Sequence, residues 1–89
     1  MNKELSKELL NYIRLYPDKV RWDGICSDIE LSENFIREFQ NYVDWRWISY
    51  FQKLSKEFII EFSDKLSFNI IMYNSRTSKD VKDYCRMFV

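Results

Sequence analysis

The chain has 89 residues, 46% of them hydrophobic and 18% aromatic, which supplies apolar surface for one small packed domain over residues 1–89 and argues against disorder. Its 14 basic residues balance 14 acidic ones, so no net field draws it to nucleic acid or to an anionic membrane. Histidine is absent, only one glycine occurs, and the two cysteines lie far apart in sequence. No general base of the usual kind, phosphate-cradling loop or four-ligand zinc site can be written, and no enzymatic activity, cofactor or metal is expected.

At the N-terminus, Met1-Asn2-Lys3-Glu4-Leu5-Ser6-Lys7-Glu8 carries charges where a secretion signal needs an apolar run. No later stretch approaches the roughly 18 apolar residues of a membrane span, so a soluble, intracellular protein is expected.

Onward from about residue 8 the chain repeats with a period of 23, in rows of about 8–30, 31–53, 54–76 and a partial 77–89. Tyr12, Ile13, Tyr16, Val20, Trp22 and Ile25 of the first row align with Phe35, Ile36, Phe39, Val43, Trp45 and Ile48 of the second. The third continues with Phe58, Ile59, Phe62, Leu66, Phe68 and Ile71. Each row reads as two short helices. Ser32 and Ser55 suit N-caps, with Glu33 and Glu57 near the positive end of the helix dipole, and these helices are predicted to run to about Tyr42 and Asp64. Asp44 and Ser67 start second helices of about two turns. Pro17 ends the first long helix, and Glu8 and Lys82 replace apolar column residues at the two ends.

A lone helix pair cannot bury faces this wide, so the rows must stack. The predicted fold is all-α, a short helical-repeat solenoid of about three and a half 23-residue helix-pair units. Sustained alternation with a period of two, the mark of a half-buried strand, is missing from every row. Cys26 shares a column with Ser49 and Met72, whereas Cys85 shares one with Phe39 and Phe62, more than two rows away. That separation exceeds disulfide reach, and two free thiols are expected.

The stretch Val43-Asp44-Trp45-Arg46-Trp47-Ile48-Ser49-Tyr50-Phe51-Gln52-Lys53-Leu54-Ser55-Lys56-Glu57-Phe58-Ile59 resembles the V-D-W-x-x-I-S-x-x-Q-x-L-S-x-x-F-I repeats of largely uncharacterised proteins of giant viruses, bacteriophages and other mobile elements. The likeness is good over residues 31–66, moderate over 12–26, and departs at Phe68 and at Ile71-Met72. It implies no catalytic residues. It does imply a genomic setting, in which a small chain without enzyme motifs is similar in kind to the inhibitors, anti-CRISPR proteins included, by which phages disable host defence nucleases. The partner implied is a host protein, such as a CRISPR effector, met in the host cytoplasm.

Remaining chemistry is sparse. Glu57 with Glu61, and Asp80 with Asp83, could share a helix face, but they sit beside Lys53, Lys56, Lys65 and Lys79 and read as solvated surface. Trp45-Arg46-Trp47 and Arg21-Trp22 interleave cations with aromatics, as single-strand binders do. Trp22 and Trp45 nevertheless occupy core columns, and the residues before the aromatic column are Arg21, Asp44 and Ser67, which make no basic stripe. Nucleic acid is therefore disfavoured as a direct ligand.

Large apolar residues in otherwise polar or small columns are the better guide to a partner. Trp47 shares a column with Gly24 and Ile70, and Phe51 with Asp28 and Asn74. Tyr42, Tyr50 and Tyr73 add aromatic surface, with Arg46 at its edge. The expected function is protein binding through Tyr42, Arg46, Trp47, Tyr50, Phe51 and Tyr73. Self-assembly through this patch or an open end of the stack is the alternative, with single-stranded nucleic acid behind it. Trp47 keeps two readings, an interface residue or a filler of the space beside Gly24.

Overall fold

Small polar side chains set most of the helix starts. The computed structural model describes residues 3–89; Met1 and Asn2, part of the charged N-terminal stretch, lie outside the described residues. In chain order these residues form β1 (Lys3–Glu4), α1 (Lys7–Leu15), a 3-10 turn (Pro17–Lys19), α2 (Trp22–Asp28), β2 (Ile29–Glu30), α3 (Glu33–Glu38), α4 (Trp45–Phe51), α5 (Lys56–Glu61), α6 (Phe68–Ile71) and α7 (Lys79–Arg86). Ser6, Ser32, Ser55 and Ser78 each accept a backbone N–H three residues on, from Leu9, Phe35, Phe58 and Val81. Asp44 caps α4 and Ser67 caps α6 in the same way. Only α2 lacks a side-chain cap among the α-helices described.

Helices of six or seven residues are too short to persist alone, so packing must hold them. α2 lies against α4, α4 against α6, and α6 against α7, in a body of 39 × 25 × 18 Å. The same contacts recur one row on. Trp22 donates its indole N–H to Pro17 O at 2.8 Å and sets its ring against Phe35 and Phe39. Trp45 donates to Gln40 O at 3.1 Å and sets its ring against Phe58 and Phe62. Phe68, with no donor, packs against Tyr84 and Phe88. Outside this core, Arg14 pairs with Glu38 at 3.0 Å and Arg37 with Glu61 at 2.8 Å, each partner lying 24 residues on.

Buried amides tie the layers. The Gln52 side chain is fully buried; its Nε2 donates to Cys26 O at 2.8 Å and Ile29 O at 2.7 Å, while its Oε1 accepts the Leu31 N–H at 2.9 Å. Asn74, also buried, donates Nδ2 to Ser49 O at 3.0 Å and Gln52 O at 2.8 Å. Ser49 and Gln52 stand one row after Cys26 and Ile29, so the amide of each layer meets the same two carbonyls at the C-terminal end of the preceding layer's second helix. Such carbonyls have no partner within their own helix.

Several expectations need correction. α3 stops at Glu38 and α5 at Glu61, short of Tyr42 and Asp64. The backbone leaves the helical basin at Phe39 and Phe62, whose carbonyls each receive two later N–H groups in a tight turn. In the second row side chains also compete for the helical acceptors, Gln40 taking Arg37 O and Trp45 taking Gln40 O. α1 begins earlier than the row boundary, because Leu5-Ser6 takes the place that Leu31-Ser32 and Leu54-Ser55 hold in later rows, three residues ahead of the 23-residue register. The period-two test for strands missed one feature, a two-residue parallel pairing of Lys3 with Ile29 and Glu4 with Glu30. Both cysteines are free and buried.

Two substitutions test this packing by urea denaturation. Gln52→Leu strands two carbonyls and an N–H in the core and is expected to cost about 3 kcal/mol; a loss under about 1 kcal/mol would contradict the role given to the amide. Thr77 stands in the column of Leu31 and Leu54 with its Oγ1 buried and without a hydrogen-bond partner. Thr77→Val removes that orphan and is expected to add about 1 kcal/mol.

Candidate partner-binding surface

Asp44 aims the helix that carries most of the candidate residues. Its carboxylate accepts the backbone N–H of Arg46 at 3.2 Å and of Trp47 at 3.4 Å, fixing the first turn of α4. α4 must turn Ile48 and Ser49 inward, where both are fully buried. Trp47 and Phe51, four apart, are left on another face with Tyr50 beside them.

Three of the expected residues form one cluster. The Trp47 and Phe51 rings stack with centroids 5.3 Å apart, Tyr50 lies 4.8 Å from Phe51 and 6.2 Å from Trp47, and Arg46 is exposed on the same helix. Tyr42 does not join them: it stacks at 6.0 Å on Trp22 of the first row. Tyr73 follows α6, is 76% exposed, and makes no ring contact with the cluster. The expected site of six residues is thus a compact group on α4 with two outlying tyrosines.

Trp47 is half-buried, one side packed on the core and the other on Phe51. It does not fill the space beside Gly24, where an added Cβ would meet nothing within 4 Å. The indole donors separate the tryptophans further. Those of Trp22 and Trp45 are spent on backbone carbonyls within the chain, whereas that of Trp47 meets no acceptor among the described residues. Trp45 and Trp47 also pack on different neighbours, Phe58 and Phe62 against Tyr50 and Phe51, and so offer no continuous stacking platform.

The columns hold a further exception that is not aromatic. Leu15 stands where Glu38 and Glu61 hold the ion pairs, and it is 71% exposed. Like Phe51, whose column otherwise holds Asp28 and Asn74, it is a large apolar residue in a column whose other positions are polar, here Glu38 and Glu61.

Reactive chemistry is muted here. Glu61 is engaged by Arg37 and Asp83 by Arg86 at 2.6 Å. Among the described residues no three His, Cys, Asp or Glu side chains converge to hold a metal, and no helix is long and apolar enough to cross a membrane. Burial pushes the Cys26 thiol up from 9.0 to about 11, against the pull of a hydrogen bond from the Asp44 backbone N–H. Burial also raises Cys85. The thiol form is therefore favoured in the folded state, and the stability linked to Cys26 is complete below pH 9 and lost as pH rises towards 11. The urea midpoint of the protein should fall over that range relative to that of Cys26→Ser, whose hydroxyl does not titrate there and which serves at the equivalent Ser49 position by accepting the Ser67 N–H. A constant difference between the two from pH 8 to 11 would contradict the assignment.

Comparison with known protein families, with characterised proteins and with solved structures finds no match to this chain.

Proposed function

We propose that the chain is a short solenoid of 23-residue helix pairs whose work is to bind another protein, with Trp47, Tyr50 and Phe51 as anchors and Arg46 at their rim. The observation that carries this reading is the Trp47 indole. It is presented beside two further aromatic rings with its N–H unused among the described residues, whereas the other tryptophans spend theirs on the fold. Large aromatics with a polar tip are the side chains most often found to dominate protein interfaces. Tyr42 and Tyr73 belong to the outer part of the surface.

The resemblance of residues 43–59 to viral and mobile-element repeats extends the proposal to a biological role, inhibition of a host defence nuclease of the CRISPR type by binding and occlusion in the host cytoplasm. The stacked arrangement of α2, α4 and α6 supports the solenoid part of the reading, and the small size of the chain suits a blocking protein.

The test pairs Trp47→Ala and Phe51→Ala in a chain shown to be folded, with Tyr50→Ala as a milder variant at an exposed position. Affinity for the captured host partner, and inhibition of the nuclease, should fall at least ~100-fold in the double variant and ~10-fold in Tyr50→Ala. Undiminished binding by the folded double variant would remove this surface from the account.

A further inference from the structure

The same face of each row is met by the row before it, except in the first. Trp22 rests on Phe35 and Tyr42, Cys26 accepts the Asp44 N–H, and Gln52 takes the carbonyls of Cys26 and Ile29. α4 is received likewise: Trp45 rests on Phe58, Ser49 accepts the Ser67 N–H, and Asn74 takes the carbonyls. One row back, these receiving positions are Tyr12, Lys19, Arg21, Asp28 and Ile29. All five line one groove of about 460 Å³ between α1 and α2, with Gly24 on its wall. No described element occupies it. Tyr12 is 46% exposed where Phe35 is 6% and Phe58 is fully covered, and Tyr16 is 44% exposed where Phe39 and Phe62 are 5%.

We infer that this groove is the seat for an amphipathic helix of another protein, one that carries an aromatic residue and, four positions later on the same face, a serine or cysteine. The pattern is that of the two helices seated on the equivalent faces, Trp22 with Cys26 and Trp45 with Ser49. The aromatic ring lies over Tyr12 and Tyr16, whose rings are already paired at 5.3 Å. The hydroxyl or thiol accepts the backbone N–H of Arg21, the equivalent of the Asp44 and Ser67 donors, which has no acceptor among the described residues. A second copy of the chain offers no such helix: α2 and α4 are each covered by the row that follows, and α6 has Met72 at the fifth position with Phe68 under Tyr84 and Phe88. Its site differs from the α4 cluster, so either can fail while the other stands.

The probe is a helix-stapled peptide of residues 43–53, the best-defined occupant of an equivalent seat, titrated into the isotope-labelled protein. Saturable binding with shifts centred on Val20, Gly24 and Ile25 is expected. It should weaken at least ~10-fold when the peptide carries Trp45→Ala, or when the protein carries Tyr12→Ala with Tyr16→Ala at two exposed positions. With Arg21→Ala as the reference for the lost guanidinium and its 3.8 Å pairing with Asp23, Arg21→Pro removes the donor, since the φ of −82° suits proline. It should weaken the parent peptide by about fivefold and leave a Ser49→Ala peptide unchanged. Absence of binding, shifts confined to Trp47, Tyr50 and Phe51, or indifference to the Trp45→Ala peptide change would overturn the proposal. So would tight self-association of the pure protein that Tyr12→Ala with Tyr16→Ala abolishes, because the occupant would then be a second copy.

Discussion

Short helices leave their last carbonyls without partners, and the burial of those carbonyls is the constraint on which this fold depends. α2 and α4 have seven residues each, so a large share of their backbone acceptors falls in the final turn. Water cannot reach them between packed layers. Gln52 and Asn74 supply the missing donors, and because each amide comes from the following layer, satisfying the carbonyls also fixes the distance and register between layers. The apolar columns could tolerate a slide of one helix along another; two hydrogen bonds from one buried NH₂ group cannot.

With the layers fixed, the remaining side chains sort by what they still have to do. Ile13, Ile36, Ile48, Ile59 and Ile71 are fully buried and carry no further role. Trp22 and Trp45 use both ring and indole N–H inside the fold. The Arg14–Glu38 and Arg37–Glu61 pairs run along the outside, where solvent screens them and their main effect is on register. Left over are the Trp47, Tyr50 and Phe51 rings on α4 and the uncovered aromatic face of the first row. At the first the sequence departs from its own pattern, whereas Tyr12 and Tyr16 keep the aromatic columns and are left exposed.

Much of the architecture was readable because it is local. Ser32 and Ser55 announced helix starts through side chains that reach only three residues ahead, and Asp44 and Ser67 did the same for the shorter helices. What resisted reading was anything out of register. Asn74 repeats the work of Gln52 from one column earlier, with a side chain one methylene shorter, so a strict 23-residue alignment sets Asn74 beside Phe51 and hides the correspondence. Leu5-Ser6 hides for the same reason, three residues ahead of its row. The ends of α3 and α5 are set by the tight turns that close on the Phe39 and Phe62 carbonyls, which no propensity anticipates. Of the candidate surface, the α4 residues came together because they share one helix; Tyr42 and Tyr73 did not, because each lies in a turn outside that helix, Tyr42 against Trp22 of the first row.

The layer-to-layer amide clamp can be observed without altering the protein. Hydrogen exchange of the side-chain NH₂ protons of Gln52 and Asn74, followed by NMR beside the backbone amides, tests it most directly. If these groups hold the layers, both should exchange slowly, with protection close to that of Ile48 and Ile71 in the helices they join, because exposing them requires the layers to part. Exchange at the rate of a solvated amide, while those backbone N–H groups stay protected, would contradict the account.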